Sequence, residues 1–443
     1  MFSVLPVERD SDTSHRMELI AAHAVLPMTH DSTIIPQGAI VVESEKIIDV
    51  GTKAALAPRY PQASLTEYPD HILMPGLVNA HCHLDMIDFQ ERTMVTNDFT
   101  PTTPDFVSSL VKSIEYKEKT EPQQIIAGIR KGIGRLIETG TTCLGSIAHF
   151  EGTFQLLREA GLRALVYPEV VAGTNEAAQS RFEVALALLE KYSHVNDDRI
   201  QVGIAPAAPY LLSRHLLKII SQHAREATLP IQIHAAESFA EMEFFFDSQG
   251  PIARALFPAL GWTELPPSQL KTPIQYLAAI GFLDAQVTIV GGIHLPDQDF
   301  PILARHLTRI AYCPTMNRVM KHGSLPLGKL IDAGIPVGLG TDLWNTRLGF
   351  SLWDEMRLAL TEGSLPLPSP RDLLQMATIG SARVLGLDHR IGTLEKGKFA
   401  DFILVHAPEY TSDDECYEKL VTETQPQHVQ RVVVNGDTVL KSA

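Results

Sequence analysis

The sequence predicts an α/β protein in which a (β/α)8 TIM barrel carries a small β-sandwich domain composed of both termini. Three observations support this prediction. Apolar strand-like runs alternate with helical patterns through the middle of the chain, several of these runs end in histidine or acidic residues, and β-rich segments flank the middle on both sides. Polar residues at the carboxyl ends of several parallel strands are typical of a barrel that has its active site at one mouth.

The size and composition of the chain indicate a globular protein with one large and one smaller domain. Its 443 residues are 45% hydrophobic, and a single core stops growing at ~250–300 residues. The net charge of −15 argues against a nucleic-acid or anionic-membrane partner, because no basic stripe exists to neutralise phosphates. No run approaches the ~18 apolar residues of a membrane span.

The cysteines and the start of the chain favour a cytoplasmic location. The four cysteines are widely spaced and form no C-x-x-C pair, so a disulfide framework is not expected and the compartment is predicted to be reducing. The opening MFSVLPVERDSD lacks a basic region followed by an apolar stretch, and such a pattern would mark a secretory signal.

Both ends of the chain have the texture of short strands. Residues 1–73 contain MELIAAHAVLPM, GAIVVE and KIIDVG, and residues 391–443 contain FADFILV and HVQRVVVNGDTVL. Within the last segment, Asn435-Gly436 is a strong signal for a hairpin turn. We expect the two ends to pair into one β-sandwich or open barrel.

Residues 74–390 alternate between strand and helix patterns and are predicted to form the barrel. A doubly wound open sheet is the alternative, but it would place its ligand at one switch point. Polar residues recur here at several strand ends, which favours a closed barrel. The candidate strands are 73–82, 141–147, 163–170, 200–205, 230–235, 287–292, 309–313 and 336–340.

The candidate metal ligands lie at the ends of three of these strands: His81 and His83 in PGLVNAHCHLD, His234 in PIQIHAAE, and Asp342 in GLGTD. Side chains two apart on a strand point to the same face, so His81 and His83 project together. Three imidazoles and a carboxylate suit one divalent cation with an open position, Zn²⁺ being favoured and Fe²⁺ the alternative. Such a cation lowers the pKa of bound water from ~15.7 towards ~7.

Two further residues are candidates for catalysis. Glu237 stands three residues after His234, on the loop leaving that strand, and is predicted to carry protons beside the metal. His294 follows VTIVGGI near the end of the sixth strand, where an imidazole could polarise the electrophilic centre of a substrate. Asp342 has a second predicted duty, since a carboxylate that touches the nucleophilic water can accept its proton.

These motifs resemble the amidohydrolase superfamily, and within it the deaminase and chlorohydrolase branch, which includes guanine, S-adenosylhomocysteine and aminofutalosine deaminases and the triazine hydrolases. The resemblance spans roughly residues 17–440. It implies a metal-bearing barrel with a composite β-sandwich, ligation by the three histidines and the aspartate, the catalytic roles assigned above, and a homo-oligomer. It is carried by PGLVNAHCHL, HAAE, the histidine after strand six, YCPTMN, GLGTD and SARVLGLDHRIGTLEKGKFADFILV.

One absence favours a mononuclear site. Binuclear members of the superfamily share a carboxylated lysine at the end of strand four. The corresponding segment here, RIQVGIAPAAPY, contains no lysine. A second cation would therefore lack its bridging anion.

Departures from the branch concern the substrate pocket. Related deaminases often have S-P-H-A-P-Y after strand four, and Ala207 stands at the histidine position here, so that one polar contact is missing. Asp85 in HCHLD resembles the glutamate of aminofutalosine deaminases, and Trp344 after Asp342 could stack on a planar ring. We therefore assign substrate contacts to Asp85 and Trp344.

The sequence thus predicts a metal-dependent hydrolase of carbon–nitrogen bonds that releases ammonia from an amino-substituted nitrogen heterocycle, with a purine or adenine-bearing nucleoside favoured. A triazine hydrolase that expels chloride or an alkylamine from the same site is the first alternative. A catalytically silent relative that serves as a binding protein is the second, although decayed relatives usually lose ligands and all four are present here.

Overall fold

A computed structural model gives the fold, and it describes residues 17–29, 33–87, 89, 106–171, 174–193, 198–343, 350–362 and 365–441. The strands are β1 Met17–Val25, β2 Ile35–Pro36, β3 Gly38–Glu43, β4 Lys46–Thr52, β5 Ser64–Pro75, β6 Leu77–Cys82, β7 Thr141–Ala148, β8 Arg163–Val170, β9 Ile200–Val202, β10 Ala205–Pro206, β11 Ile231–Ala235, β12 Val287–Gly291, β13 Arg309–Tyr312, β14 Val337–Leu339, β15 Phe402–His406, β16 Val429–Val434 and β17 Asp437–Lys441.

Most of the helices lie between or after the central strands. The helices are α1 Lys53–Leu56, α2 Phe106–Lys119, α3 Pro122–Glu138, α4 Gly152–Glu159, α5 Asn175–Ser193, α6 Arg214–Glu226, α7 Phe239–Asp247, α8 Phe257–Ala259, α9 Pro273–Ala279, α10 Phe300–Arg305, α11 Pro314–Val319, α12 Leu327–Asp332, α13 Leu352–Glu362, α14 Pro370–Gln375, α15 Ser381–Val384 and α16 Asp413–Glu423. Among the described residues, no helix combines the length and the apolar character that crossing a bilayer requires.

The eight predicted central strands correspond to β6 through β14, with β9 and β10 sharing the fourth position. They form two parallel sheets, ordered β10-β8-β7-β6 with β9 against β8, and β11-β12-β13-β14. Isolated parallel bridges join the sheets on both sides, at Cys82 with Asp342 and at Ile204 with Ile231. The α/β class with parallel sheets is therefore confirmed, and the carboxyl ends of the strands lie on the same side.

Both ends of the chain contribute strands to one further sheet. This eight-stranded sheet has the order β17-β16-β15-β5-β1-β3-β4, with β2 paired to β1. The hairpin between β16 and β17 turns at Asn435 and Gly436, whose φ angles of 57° and 78° belong to the turn type that favours this residue pair. The four cysteines are free and buried.

Local sequence explains why the helices form where they do. Helix α6 begins after Ser213, whose side chain accepts a hydrogen bond from the backbone N–H of Leu216 (3.2 Å), as a good N-cap does. Leu216, Ile220 and Ala224 recur every four residues and are buried. This spacing gives the helix one apolar face, which packs into the main hydrophobic core.

Candidate metal centre and active site

The structure brings the four predicted ligands together. The candidate ligand atoms of His81, His83, His234 and Asp342 all lie within 4.8 Å of one another. The Nε2 atoms of His81 and His83 are each 3.6 Å from Oδ1 of Asp342. Two atoms bound to one zinc at ~2.0–2.1 Å in tetrahedral geometry lie about 3.4 Å apart, so these distances suit a shared ion.

Backbone hydrogen bonds fix the strand ends that carry these ligands. The carbonyl of His81 accepts from the N–H groups of Thr341 (2.9 Å) and Asp342 (3.0 Å), and His83 N–H donates to the carbonyl of Asp342 (3.1 Å). Asn79 lies beneath the site and donates to the hydroxyl of Thr341 (2.8 Å). Asp342 has a φ of 52°, an unusual value for a residue with a side chain, and such values occur at functional sites.

Gln232 sets the orientation of the His81 ring. Its side-chain N–H donates to the carbonyl of Ala80 (2.9 Å), which turns its Oε1 towards His81 Nδ1 (2.8 Å). His81 therefore carries its proton on Nδ1 and presents the lone pair of Nε2 to the cluster. That Nε2 is buried and has no hydrogen-bond partner among the described residues. A ligating histidine typically has its other nitrogen held in this way.

The charge states in the cluster also suit a cation. Burial, with a contribution from His81, lowers the pKa of His83 well below its usual value, so this ring is neutral. Burial would raise the pKa of Asp342, but His81, His234 and His83 around it lower the pKa below its usual value. A buried carboxylate beside imidazole nitrogens is a ligand set for a divalent metal.

Glu237 lies beside the cluster, next to His234. Its Oε2 is 3.6 Å from Nδ1 of His234. Burial would raise the pKa of Glu237, but His234 and then His322 lower it. Behind it, Oε2 of Glu241 accepts from the backbone N–H of Glu237 (3.0 Å), and burial raises the pKa of Glu241 to about 8. Glu241 therefore anchors the loop while Glu237 remains ionised.

The cluster opens into a cavity with mostly apolar walls. His83, His234, Glu237 and Asp342 line one end of it. The apolar wall includes Met86, Phe89, Phe106, Leu110, Tyr210 and Met316. A concave apolar pocket with a few convergent polar groups is the usual form of a small-molecule site.

A buried ion pair contributes to the cavity wall. Lys117 in α2 donates to both carboxylate oxygens of Glu169 at 2.6 Å, and the two side chains are 9% and 4% exposed. Burial would raise the pKa of Glu169, but Lys117 and the nearby His83 and His149 hold this pKa at about 2. The pair is therefore charged, and it fastens α2 to the end of β8.

The structure separates His294 and Asp85 from the cavity, since neither is among the described residues that line it. The His294 ring lies edge-on to Phe239, with 6.1 Å between ring centroids. Oδ2 of Asp85 accepts from the backbone N–H groups of His149 (2.6 Å) and Phe150 (3.0 Å). Neither side chain therefore contacts the cavity. The catalytic role of His294 and the substrate contact of Asp85 stay predictions.

Ala207 lines the cavity, so a methyl group stands where the related motif has an imidazole. Trp344 lies outside the described residues, and its assignment to substrate contact stays a prediction.

Sequence reasoning missed several polar residues of the site, among them Gln232, Lys117, Glu169 and His322. Gln232 stands two positions before His234 on the same strand, and this spacing could have indicated that both side chains point to the same face. Lys117 lies in a helix, and no local signal marks its contact with Glu169. His322 follows α11 and lines the cavity, although its segment carries no strand-end pattern.

This chain belongs to the amidohydrolase family, which matches residues 72–439. A similar relative is the 5-methylthioadenosine/S-adenosylhomocysteine deaminase of Desulfitobacterium hafniense. It is 29% identical over 427 residues, which cover 94% of this chain and 92% of the relative.

Two solved structures show the same fold. Helicobacter pylori aminofutalosine deaminase in complex with methylthio-coformycin has a TM-score of 0.80 at 21% identity, over 96% of this chain and 100% of that one. The atrazine chlorohydrolase of Arthrobacter aurescens TC1 complexed with zinc has a TM-score of 0.77 at 21% identity, over 96% and 95%. The expected resemblance to the superfamily is confirmed.

Proposed function

We propose that this chain is a metal-dependent hydrolytic deaminase that releases ammonia from an amino-substituted nitrogen heterocycle, with an adenine-bearing nucleoside as the favoured substrate. The observation that carries the proposal is the convergence of His81, His83, His234 and Asp342 beside the carboxylate of Glu237 at the end of one apolar cavity. The relatives named as adenosine-type deaminases support the same reaction and substrate class.

One divalent cation would be held by the three imidazoles and the aspartate, with Zn²⁺ favoured and Fe²⁺ the alternative. When bound, it would supply Lewis acidity that lowers the pKa of water to near neutrality. The buried, unpartnered Nε2 of His81 supports this assignment, as does the shared 3.6 Å spacing to Asp342. The zinc-bound relatives are consistent with it.

Two carboxylates would move the protons of the reaction. Asp342 accepts a proton from the attacking water, which adds to the ring carbon bearing the amino group. Glu237, which is ionised at rest, first takes up a proton and donates it to the ring nitrogen. The proton held by Asp342 then passes to the departing amino group, and Glu237 regains a proton from the added hydroxyl, so the products are the oxo-heterocycle and one ammonia. The mostly apolar cavity wall excludes water from the ring, which strengthens these polar contacts.

The architecture that would support this chemistry is a closed (β/α)8 barrel over residues 74–390, with residues 1–73 and 391–443 forming the composite domain. The parallel bridges at both seams of the central sheets favour closure. The homo-oligomeric state and the cytoplasmic location stay predictions from the sequence.

An ammonia-release screen tests the proposal. Protein reconstituted with one Zn²⁺ or Fe²⁺ per chain should release ammonia from at least one aminated purine or purine nucleoside, and metal-free protein should not. The panel includes adenosine, 5′-methylthioadenosine, S-adenosylhomocysteine, guanine, pterins, pyrimidines and triazines. Metal-replete protein that releases no ammonia from the whole panel would contradict the deaminase assignment.

The leaving group distinguishes the alternative, a triazine hydrolase, from a deaminase. Chloride leaves without a proton, whereas ammonia leaves better when protonated, and Glu237 beside His234 provides a proton donor for the second reaction. Halide or alkylamine release from chlorinated or alkylaminated triazines, without ammonia release from purines, would favour the alternative. A silent binding protein would retain no stoichiometric metal.

A further inference from the structure

The sixth central strand delivers no side chain to the catalytic end of the cavity. Strand β12 ends at Gly291, whose φ is +97°. A Cβ placed on Gly291 would lie 2.9 Å from the Cβ of Glu237, which is closer than such atoms approach. The end of β12 therefore carries no side chain, because Glu237 occupies the space that a side chain on Gly291 would need.

An imidazole from another part of the chain reaches this place. His322 follows α11, is 7% exposed, and lines the cavity together with Glu237. Its Nδ1 is 3.8 Å from Oε1 of Glu237, and its ring lies 5.5 Å from the ring of Phe106. His322 thus stands between the proton-carrying carboxylate and the aromatic wall.

Both ring nitrogens of His322 are buried and have no hydrogen-bond partner among the described residues. The gap of 3.8 Å to Glu237 is too long for a direct hydrogen bond. Buried polar atoms nearly always have a partner, and an unpaired one costs free energy. Because the ring forms part of the cavity wall, a molecule in the cavity can supply the missing partner.

The backbone holds His322 in this place. Its N–H donates to the carbonyl of Asn317 (2.9 Å), and the next residue, Gly323, turns the chain with a φ of +104°. The ring of His294 lies beside the backbone of His322. His294 therefore contacts the segment that carries His322, and this contact gives His294 a supporting position outside the cavity.

We propose that His322 is a substrate-binding residue whose imidazole hydrogen-bonds the polar edge of the heterocycle next to the atom that Glu237 protonates. This inference rests on the proposed function for the class of substrate. A neutral imidazole has one donor and one acceptor, so it can pair with a ring nitrogen or with an exocyclic oxygen or nitrogen. His322 thereby offers the substrate an imidazole near the end of β12, where the sequence predicted that of His294.

The test compares His322→Ala and His322→Gln with the wild type and with Lys321→Gln, a matched control at the exposed neighbouring position. All are prepared as metal-replete protein. Calorimetry measures the binding of inosine and 5′-methylthioinosine, which are deaminated products and do not react. Metal content and thermal unfolding are measured on the same samples, because a merely structural role would alter these two quantities.

We expect His322→Ala to weaken binding of the product by about tenfold or more, the effect of losing one hydrogen bond in a buried site. Metal content should be unchanged. His322→Gln keeps a donor and an acceptor and should recover part of the affinity, and Lys321→Gln should bind like the wild type. On any substrate found by ammonia release, kcat/KM should fall by a similar factor.

Normal binding by metal-replete His322→Ala would overturn the inference, even if its stability were lower. If the wild type deaminates a substrate and the His322 variants bind the products and react as the wild type does, the proposed function stands and the contact is rejected. Loss of product binding in His322→Ala, with a wild type that binds but deaminates nothing, would support the contact and reject the deaminase. A wild type that binds neither product would overturn the contact as well.

Discussion

At the residue scale, the site depends on how buried polar atoms are paired. Gln232 holds His81 Nδ1, so that Nε2 faces Asp342. Glu241 holds the backbone N–H of Glu237 and leaves its carboxylate directed towards His234. In both cases a neighbouring side chain pairs with one polar atom of the functional residue and leaves another atom available to the site. Buried polar atoms need such partners, because burial removes water.

Glu237 is predicted to carry protons without holding the metal. Glu237→Gln should retain metal at the wild-type level, because the four ligands remain in place. Its kcat should fall by about 10²–10⁴-fold, the usual contribution of a general acid or base. Metal analysis and steady-state ammonia release measure the two effects. Glu264→Gln, at an exposed position, is the control, and full activity in Glu237→Gln would refute the assigned role.

At the element scale, two helices are fastened near the cavity by buried acidic side chains. Helix α2 is held to β8 by Lys117 and Glu169. Helix α13 contacts the first turn of α11 because Glu355 Oε2 accepts from the backbone N–H of Thr315 (2.8 Å). Helix α11 leads directly to His322, so this second contact supports the segment that carries a predicted substrate contact.

Loss of one partner from the buried pair should be costly. Lys117→Met leaves Glu169 charged and unpaired, and we expect the free energy of unfolding to fall by about 3–5 kcal/mol. Denaturant unfolding measures the change. Lys119→Met in the same helix is the control, because its pair with Glu115 is mostly exposed, at 71% and 55%, and should contribute ~0–1 kcal/mol. Equal stability of Lys117→Met and wild type would contradict this account.

The double variant Lys117→Met with Glu169→Leu separates the cost of an unpaired charge from the loss of packing. Replacing both partners with apolar groups is often neutral for a buried ion pair. We therefore expect the double variant to regain most of the stability that Lys117→Met loses. Its failure to regain any would assign the loss to packing of the lysine stem.

Glu355 should make the stability depend on pH between about 4.5 and 8. Burial raises its pKa from 4.5 in the reference state to about 8 in the fold. The folded state therefore binds a proton more tightly, so this contribution to stability is fully present below about pH 4.5 and is lost as the pH rises through about 8. Glutamine keeps an acceptor oxygen and cannot ionise.

Thermal unfolding of Glu355→Gln and the wild type between pH 5 and pH 9 measures this dependence. The wild type should lose stability as the pH rises, whereas the variant should not lose this contribution. The unfolding temperature of the variant minus that of the wild type should therefore increase with pH. Glu362→Gln, an exposed position in the same helix, should show no such trend. Parallel pH profiles for Glu355→Gln and the wild type would refute the raised pKa.

At the scale of the whole molecule, a buried ion pair links the central strands to the sheet formed by both chain ends. Arg163 in β8 donates through Nε to Asp401 Oδ2 (2.7 Å) and through Nη2 to Asp401 Oδ1 (3.1 Å). Both side chains are 2% exposed. Arg163 also donates to the side chain of Asn435 in the last hairpin (3.0 Å). Its guanidinium therefore joins β8 to two segments near the end of the chain.

Arg163→Met should therefore lower the stability of the whole chain. The variant leaves Asp401 buried without its partner, and we expect a loss of about 3–5 kcal/mol in the free energy of unfolding. Metal content of the folded fraction should stay at the wild-type level, because Arg163 does not touch the cluster. Lys329→Met, which breaks an exposed pair with Asp297, is the control, and similar small effects of both substitutions would contradict the linking role.

Much of the fold could be predicted because strand and helix patterns are local. The apolar runs at 141–147 and 163–170 correspond to β7 and β8 nearly residue for residue. The Asn435-Gly436 turn formed as its dipeptide preference requires. The arrangement of the two chain ends was also foreseeable in outline, although their pairing into one eight-stranded sheet depends on contacts between residues more than 300 positions apart.

The sequence alone determined which strand ends carry the candidate metal ligands, because a side chain that directly ends a parallel strand must point to the same mouth as its neighbours. Only the tertiary structure decided which histidine outside the candidate metal cluster lines the cavity. Gly291, rather than His294, occupies the end of β12, and His322 reaches the cavity from a segment after α11. Loop direction is set by packing against distant residues such as Glu237 and Phe106, and no local pattern records it.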